Sequence, residues 1–284
     1  MGDFPFLSHV GPLVQHMDDL RIYMEYICSA PHRHLWSTRI PPQIFEAMDF
    51  SKRFIFDDQM DSGLRIAVSK TVGGIVPEHS VDPRVWRHVS NAVRSLNDAG
   101  FVVDTASPVF EERLKRRYFY IMANLWRCAM HNGYAPFIND GNKHLVDPVL
   151  LWIIQKGEGL SAQRIYQSLS DRDAVKKAVH RFFGEYDILI TPTLPVLPPP
   201  AWTPQEESTA EAMKVTALMG QYTGIWNLTH NPAISVNCGV ERGNVPVGIQ
   251  VVGRMYTDDV VMRFANRLKA ICESSPMNSV SSKL

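Results

Sequence analysis

The sequence predicts an α/β fold in which a mixed, mostly parallel sheet is flanked by helices. Three observations predict it. A strand, a helix and a second strand follow one another between residues 64 and 107. A buried strand at Asp187–Thr191 comes directly off a long helix and leaves through a proline run. Two apolar strands, 233–238 and 247–253, lie near the end of the chain and are joined by the charged turn GVERGNVP.

The elements follow in chain order. In LVQHMDDLRIYMEYICSA (13–30), Leu13, Met17, Leu20, Met24 and Ile27 recur at three- and four-residue steps, which predicts a helix with one apolar stripe. Residues 31–62 carry Pro31, Pro41 and Pro42 among scattered charges and read as an irregular excursion. LRIAVSK (64–70) is a strand. Asp82 then caps a helix whose first position is Pro83, where a missing N–H costs nothing. Val85, Val89, Val93 and Leu96 give it a buried stripe, and Gly100 terminates it because glycine tolerates the left-handed conformation. FVVDTAS (101–107) returns as a strand. Strand, helix, strand requires a parallel crossover.

Residues 110–130 form a long helix, 144–156 a shorter one, and 161–183 a third with Ser161 as its cap. The prolines of TPTLPVLPPP force the chain out of the sheet after Thr191. Residues 209–227 read as helical. TDDVVMRFANRLKAICE (257–273) is a final amphipathic helix capped by Thr257, and 274–284 reads as a disordered tail.

Composition narrows the function classes. The chain has 284 residues, 45% hydrophobic and 20% charged, which is enough for a sizeable core. Lys plus Arg numbers 29 and Asp plus Glu 29, so no electrostatic argument favours nucleic acid or an anionic membrane as partner. The basic run RLKRRYFY (113–120) reads as the solvated face of a helix rather than a phosphate patch. No GxGxxG or GxxxxGK[ST] follows a strand, which argues against a nucleotide-binding protein. Cys28, Cys128, Cys238 and Cys272 are widely spaced and read as buried free thiols. His32 and His34 stand two apart with no partner in a metal motif, so no metal or cofactor is expected. No run reaches membrane-spanning length, and MGDFPFLSHVGPL has neither the basic start nor the apolar core of a secretory signal. These features place the chain in the cytoplasm. The alternative is the peroxisome, because the chain finishes in Ser282-Lys283-Leu284.

Five blocks, in order, resemble one family, the amidase signature hydrolases. They are LSHVGPL with the following Asp18 and Asp19, the strand–helix–strand unit from Leu64, EYDILITPTLPVLPPP, YTGIWNLTHNPAISVNCG, and VPVGIQVVGR. The match covers nearly the whole chain but only the C-terminal portion of the family, so residues 1–273 resemble part of an amidase-signature domain. The resemblance implies carboxamide C–N hydrolysis by a Ser–cis-Ser–Lys core in which a desolvated Lys acts as base. Backbone N–H groups of a Gly-rich loop would hold the oxyanion. No stretch of these 284 residues supplies those parts: TVGGIVP (71–77) has no serine, and SSPMNSVSSKL has no glycine.

The expectation is therefore an amidase-family chain without catalytic residues of its own, inactive alone. The alternative is a non-catalytic binding or interaction module, or a partner subunit, retaining the acyl-pocket side of the fold. A small-molecule amide is the implied substrate of the complete enzyme, with a homodimer or a missing N-terminal half as protein partner. Thr191 and Thr193 end a strand at the carboxyl edge of the sheet, where open α/β sheets bind ligands; either they wall an acyl pocket or they cap strand-end backbone groups. Tyr222, Trp226 and Asn227 are placed to line a substrate channel or to pack in the core. Gln250 alternates with apolar neighbours and, buried in a strand, must be hydrogen-bonded. The chain departs from the family pattern at Gln15 (usually Arg), His230 (usually Gly) and Asn237 (usually Pro). The first departure leaves Asp19 without its usual ion-pair partner.

Overall fold

The computed structural model describes residues 7–9, 11–29, 63–198, 209–241 and 243–275. The 31–62 excursion, His32 and His34, and the terminal Ser282-Lys283-Leu284 lie outside the described residues.

The parallel crossover is present: β1 (Ile66–Val68), α2 (Pro83–Asp98) and β2 (Val103–Thr105) follow α1 (Met17–Ser29), and β1 pairs with β2 in parallel. Asp82 accepts the amide of Arg84 at 2.8 Å, with Pro83 at the first helical position. Val85, Val89 and Leu96 are buried as the periodicity requires, while Val93 is half-buried beside a fully buried Ala92. Gly100 ends the unit at φ +94°.

Three long helices come next: α3 (Glu112–Tyr134), α4 (Pro148–Glu158) and α5 (Ala162–Glu185), the last capped by Ser161, which accepts the amide of Arg164 at 3.2 Å. They lead into β3 (Ile188–Pro192). The basic run is not merely solvated. Arg113 and Arg117 donate to Asp171 on α5 at 2.6 and 2.8 Å, and Gln167 donates to it at 3.0 Å. Burial alone would raise the Asp171 pKa; the hydrogen bonds from Arg117, Arg113 and Gln167 outweigh it and hold the carboxylate below its ordinary value.

The sheet is mixed, in the order β2-β1-β3-β5-β4, where β4 is Ala233–Glu241 and β5 is Val245–Gly253. β1 is parallel to β2 and β3; β5 is antiparallel to β3 and β4. Strand alternation sorts the side chains into two cores. Ile66, Val68, Ile188, Ile190, Ile249 and Val251 pack against α2 and the last helix, α8 (Asp258–Ser274). Ala67, Leu189 and Val252 face α3, α5 and the short α7 (Gly224–Thr229). Each such large aliphatic residue contributes about 1.5–3 kcal/mol by leaving water, which makes the sheet a rigid frame for whatever sits at its edges.

Three expectations are corrected. Leu13 lies outside α1 and is fully exposed; the stripe starts at Met17, and Leu20 packs against Met262 on α8. Residues 209–227 are not one helix but α6 (Thr209–Met219) and α7, broken where Tyr222 turns inward and is fully buried. Thr257 precedes α8 but does not cap it: its hydroxyl donates to the Arg254 carbonyl at 2.8 Å, and Asp258 and Asp259 supply the negative charge that a helix N-terminus favours.

Candidate functional site at the carboxyl edge of the sheet

The chain leaves β1 and β3 at the same end of the sheet. The exit from β1 is the turn Thr71–Gly74. Val72 stands there at φ +48°, an unusual backbone for a β-branched residue, and is fully buried. Ser69 holds that turn: its hydroxyl accepts the Val72 amide at 2.8 Å and hydrogen-bonds the Ser107 hydroxyl at 2.6 Å. The exit from β3 carries Thr191, Pro192 and Thr193.

Three of the residues singled out in the sequence meet here. The Gln250 amide nitrogen donates to the Thr191 hydroxyl at 3.1 Å and to the Tyr222 carbonyl at 3.3 Å. Thr191 in turn donates to the Pro192 carbonyl at 2.9 Å. The Tyr222 hydroxyl donates to the Lys70 carbonyl, and burial pushes its pKa up, so it stays a neutral donor. All three side chains are buried. The network ties β1, β3, β5 and the α6–α7 turn together, and its groups satisfy one another.

Thr193 is different. Its hydroxyl lies 2.6 Å from that of Ser235 on β4, and the pair spans β5 above Gly248, whose missing side chain makes the room: a Cβ there would stand 2.8 Å from Ser235 Oγ and 2.9 Å from Thr193 Oγ1. Both hydroxyls line a cleft of about 300 Å³ together with apolar Leu194, Val196 and Val247. Trp226 and Asn227 do not join this edge. Trp226 is buried in the helix-side core, and its indole N–H has no acceptor among the described residues. Asn227 donates to the Leu7 carbonyl at 2.6 Å and so ties the N-terminal segment to α7.

His230 completes that tie. It ends α7 in the left-handed conformation, φ +63°, where the glycine of the family pattern would sit without strain. Its ring accepts from Arg172 at Nε2 and meets His9 Nε2 from Nδ1 at 3.0 Å. Since the guanidinium is donor only, the proton of the neutral His230 ring belongs on Nδ1, directed at His9. Burial, then the charge of Arg172, depresses the His230 pKa to about 4. The His9 pKa is lowered for the same two reasons. Of the other departures, Gln15 is exposed, as is the neighbouring Asp19, which has no ion pair to a described residue, and Asn237 accepts the Gly239 amide at 3.1 Å where β4 loses register with β5.

Sequence reasoning missed Ser235, His9 and Arg172. Ser235 pairs across the sheet with Gln250, and its hydroxyl reaches the space over Gly248 diagonally, a placement that depends on strand register. The Arg172–His230 contact joins residues 58 apart and leaves no local pattern. No group of three or more His, Cys, Asp or Glu among the described residues is placed to hold a metal. No helix there is long and apolar enough to cross a membrane. Cys238 is buried, and its hydrogen bond to Cys272 together with burial pushes its thiol pKa up, the opposite of an activated nucleophile.

The fold and its order of elements define a class, α/β proteins built on a mixed five-stranded sheet flanked by helices. The Amidase family model matches residues 3–262, and the chain belongs to the amidase signature family. It is 27% identical over 286 residues to a glutamyl-tRNA(Gln) amidotransferase subunit of Symbiobacterium thermophilum, covering 91% of this chain and 53% of that protein. It is 25% identical over 214 residues to an acylamidase of Rhodococcus erythropolis, covering 74% of this chain and 42% of that one. The substrate complex of 6-aminohexanoate cyclic dimer hydrolase shares the fold with a TM-score of 0.70 at 17% identity, over 91% of this chain and 54% of that one. The chain thus spans about half the length of the curated relatives it matches.

Proposed function

We propose that this chain forms the acyl-pocket side of an amide-hydrolysing enzyme and does not hydrolyse carboxamides unaided. One observation supports this reading above the rest: among the described residues, no lysine hydrogen-bonds a serine. The serine pairs are Ser69 with Ser107 and Ser95 with Ser275, and neither is joined by a base. Lys70, next to the first pair in sequence, turns to Glu78 at 3.1 Å. A serine hydroxyl with no base to take its proton is a poor nucleophile.

Sensitive assays of the purified chain with aliphatic and aryl amides are expected to give only the uncatalysed rate. Turnover that survives purification and vanishes on substituting a residue within 1–284 would overturn the reading. The cleft also favours a second reading, a binding module, because Thr193 and Ser235 present hydroxyls beside apolar walls. In that case an aliphatic carboxamide binds saturably by calorimetry, and Thr193→Val weakens it about three- to tenfold, the worth of one hydrogen bond. Equal binding by wild type and variant would place the amide elsewhere. The protein partner in either reading is a second copy or a chain supplying the nucleophile and base.

Cytoplasm is the proposed location and the peroxisome its alternative. A fluorescent protein carrying the tail from Ser274 is expected to stay diffuse in a eukaryotic cell if the first is right. A punctate signal that becomes diffuse on deleting Leu284 would establish the alternative.

A further inference from the structure

A second cleft lies at the opposite end of the sheet from Thr191 and Thr193, where the chain enters β3 and leaves β5. It holds about 710 Å³, room for a ligand of substantial size. Its polar lining is one-signed: Lys176, Lys177, His180 and Arg181 come from α5 and Arg254 from the end of β5, with Asn231 beside them and no carboxylate among the described residues of the wall.

Ordinary structural reasons do not account for this charge. Lys176 with His180, and Lys177 with Arg181, stand four apart on one helix, an arrangement of basic groups that disfavours a helix once the histidine is charged and always does so for the second pair. The helix dipole offers little compensation, since it acts within the last turn and α5 has no basic residue there. Acids offset the cluster only in part, Asp173 on the same helix acting on Lys176 through its charge. Lys176, Lys177 and Arg181 have no ion pair with a described carboxylate. The nearby Asp187 is already shared between Arg65 and Arg254, each at 3.1 Å, leaving that corner net positive. Lys176 is half-buried, and its pKa is lowered by desolvation and then by Arg172, which the opposing charge of Asp173 does not cancel. An anion in the cleft would relieve this repulsion.

We infer that this cleft binds a small anionic molecule bearing phosphate or carboxylate groups, gripped by Lys176, Lys177, Arg181 and Arg254. Lysine and arginine head groups converging on one recess are the usual means of holding either anion, through charge-assisted hydrogen bonds. The site is independent of the amide-binding reading, since none of its residues belongs to the Thr193–Ser235 cleft.

The test is calorimetric titration of the full chain with inorganic pyrophosphate and, separately, with citrate at matched ionic strength. At least one is expected to bind saturably. Tighter pyrophosphate marks the physiological ligand as a phosphate compound, and tighter citrate as a polycarboxylate. Lys177→Gln with Arg181→Gln, both exposed and so tolerant of change, should weaken that binding about tenfold or more, while Lys143→Gln on a remote surface leaves it unaltered. Circular dichroism of each variant separates lost binding from lost fold. No saturable heat with either anion, or equal affinity in the folded double variant, overturns the inference.

Discussion

Replacing Gly73 by alanine is expected to destabilise the chain by about 3–5 kcal/mol, enough to unfold a large fraction of an ordinary domain. Two costs combine. Gly73 has φ +66°, a conformation that an L side chain adopts at a cost of about 1–2 kcal/mol. The added Cβ would also lie 2.0 Å from the Pro108 carbonyl oxygen, a backbone atom that cannot swing away. Relief would require the turn after β1 to separate from the segment after β2, breaking the Ser69–Ser107 contact and exposing Val72. The neighbouring Gly74 isolates the two costs. It has φ +85°, but its Cβ would meet only the flexible Lys115 side chain at 3.3 Å. Gly74→Ala should therefore cost about 1–2 kcal/mol, the backbone strain alone. Urea denaturation of both variants measures the difference. Equal losses would show that the turn can move away from Pro108.

Much of this architecture is legible in the sequence because it rests on local rules. Asp82, Pro83 and Gly100 bracket α2 through cap chemistry that needs no tertiary context. The alternation in 247–253 assigns Gln250 to the face opposite Ile249 and Val251 whatever its partners are. What the sequence does not reveal depends on distant groups. The break between α6 and α7 follows from Tyr222 reaching Lys70, 152 residues away, where a local helical pattern loses to burial of an aromatic ring. Nearness in the chain groups Trp226 and Asn227 with Tyr222. A helical turn rotates them away, one into the core and one toward Leu7. Thr191 and Thr193 look equivalent in sequence, yet the first is sealed in the network and the second opens on a cleft, a distinction set by Gly248 on another strand.

Acid is expected to weaken the fold in two successive windows, and His230 sets the first. Its folded pKa, about 4, lies below the ordinary histidine value, so the unfolded chain binds the proton more readily. Stability is then fully present above about pH 6.5 and falls as the pH drops toward 4. The geometry gives the cause. A protonated His230 would turn an N–H toward the Arg172 guanidinium, and a protonated His9 would turn one toward the N–H of His230. His9, its own pKa lowered, acts in the same direction. The carboxylates act below that range. Asp171, Asp187 and Glu241 all have depressed pKa values, so their contribution is present above the ordinary carboxylate range and is lost only beneath it. Discounting the full linkage for partial solvent screening, the loss between pH 7 and 4.5 is expected to be about 2 kcal/mol. His230→Asn should remove most of it, because asparagine tolerates the left-handed backbone at φ +63° and carries no titrating group. Urea unfolding at pH 7, 5.5 and 4.5 gives the slope directly. A variant that loses stability over this range as steeply as the wild type would show that protonation is felt elsewhere than in the His9–His230–Arg172 contact.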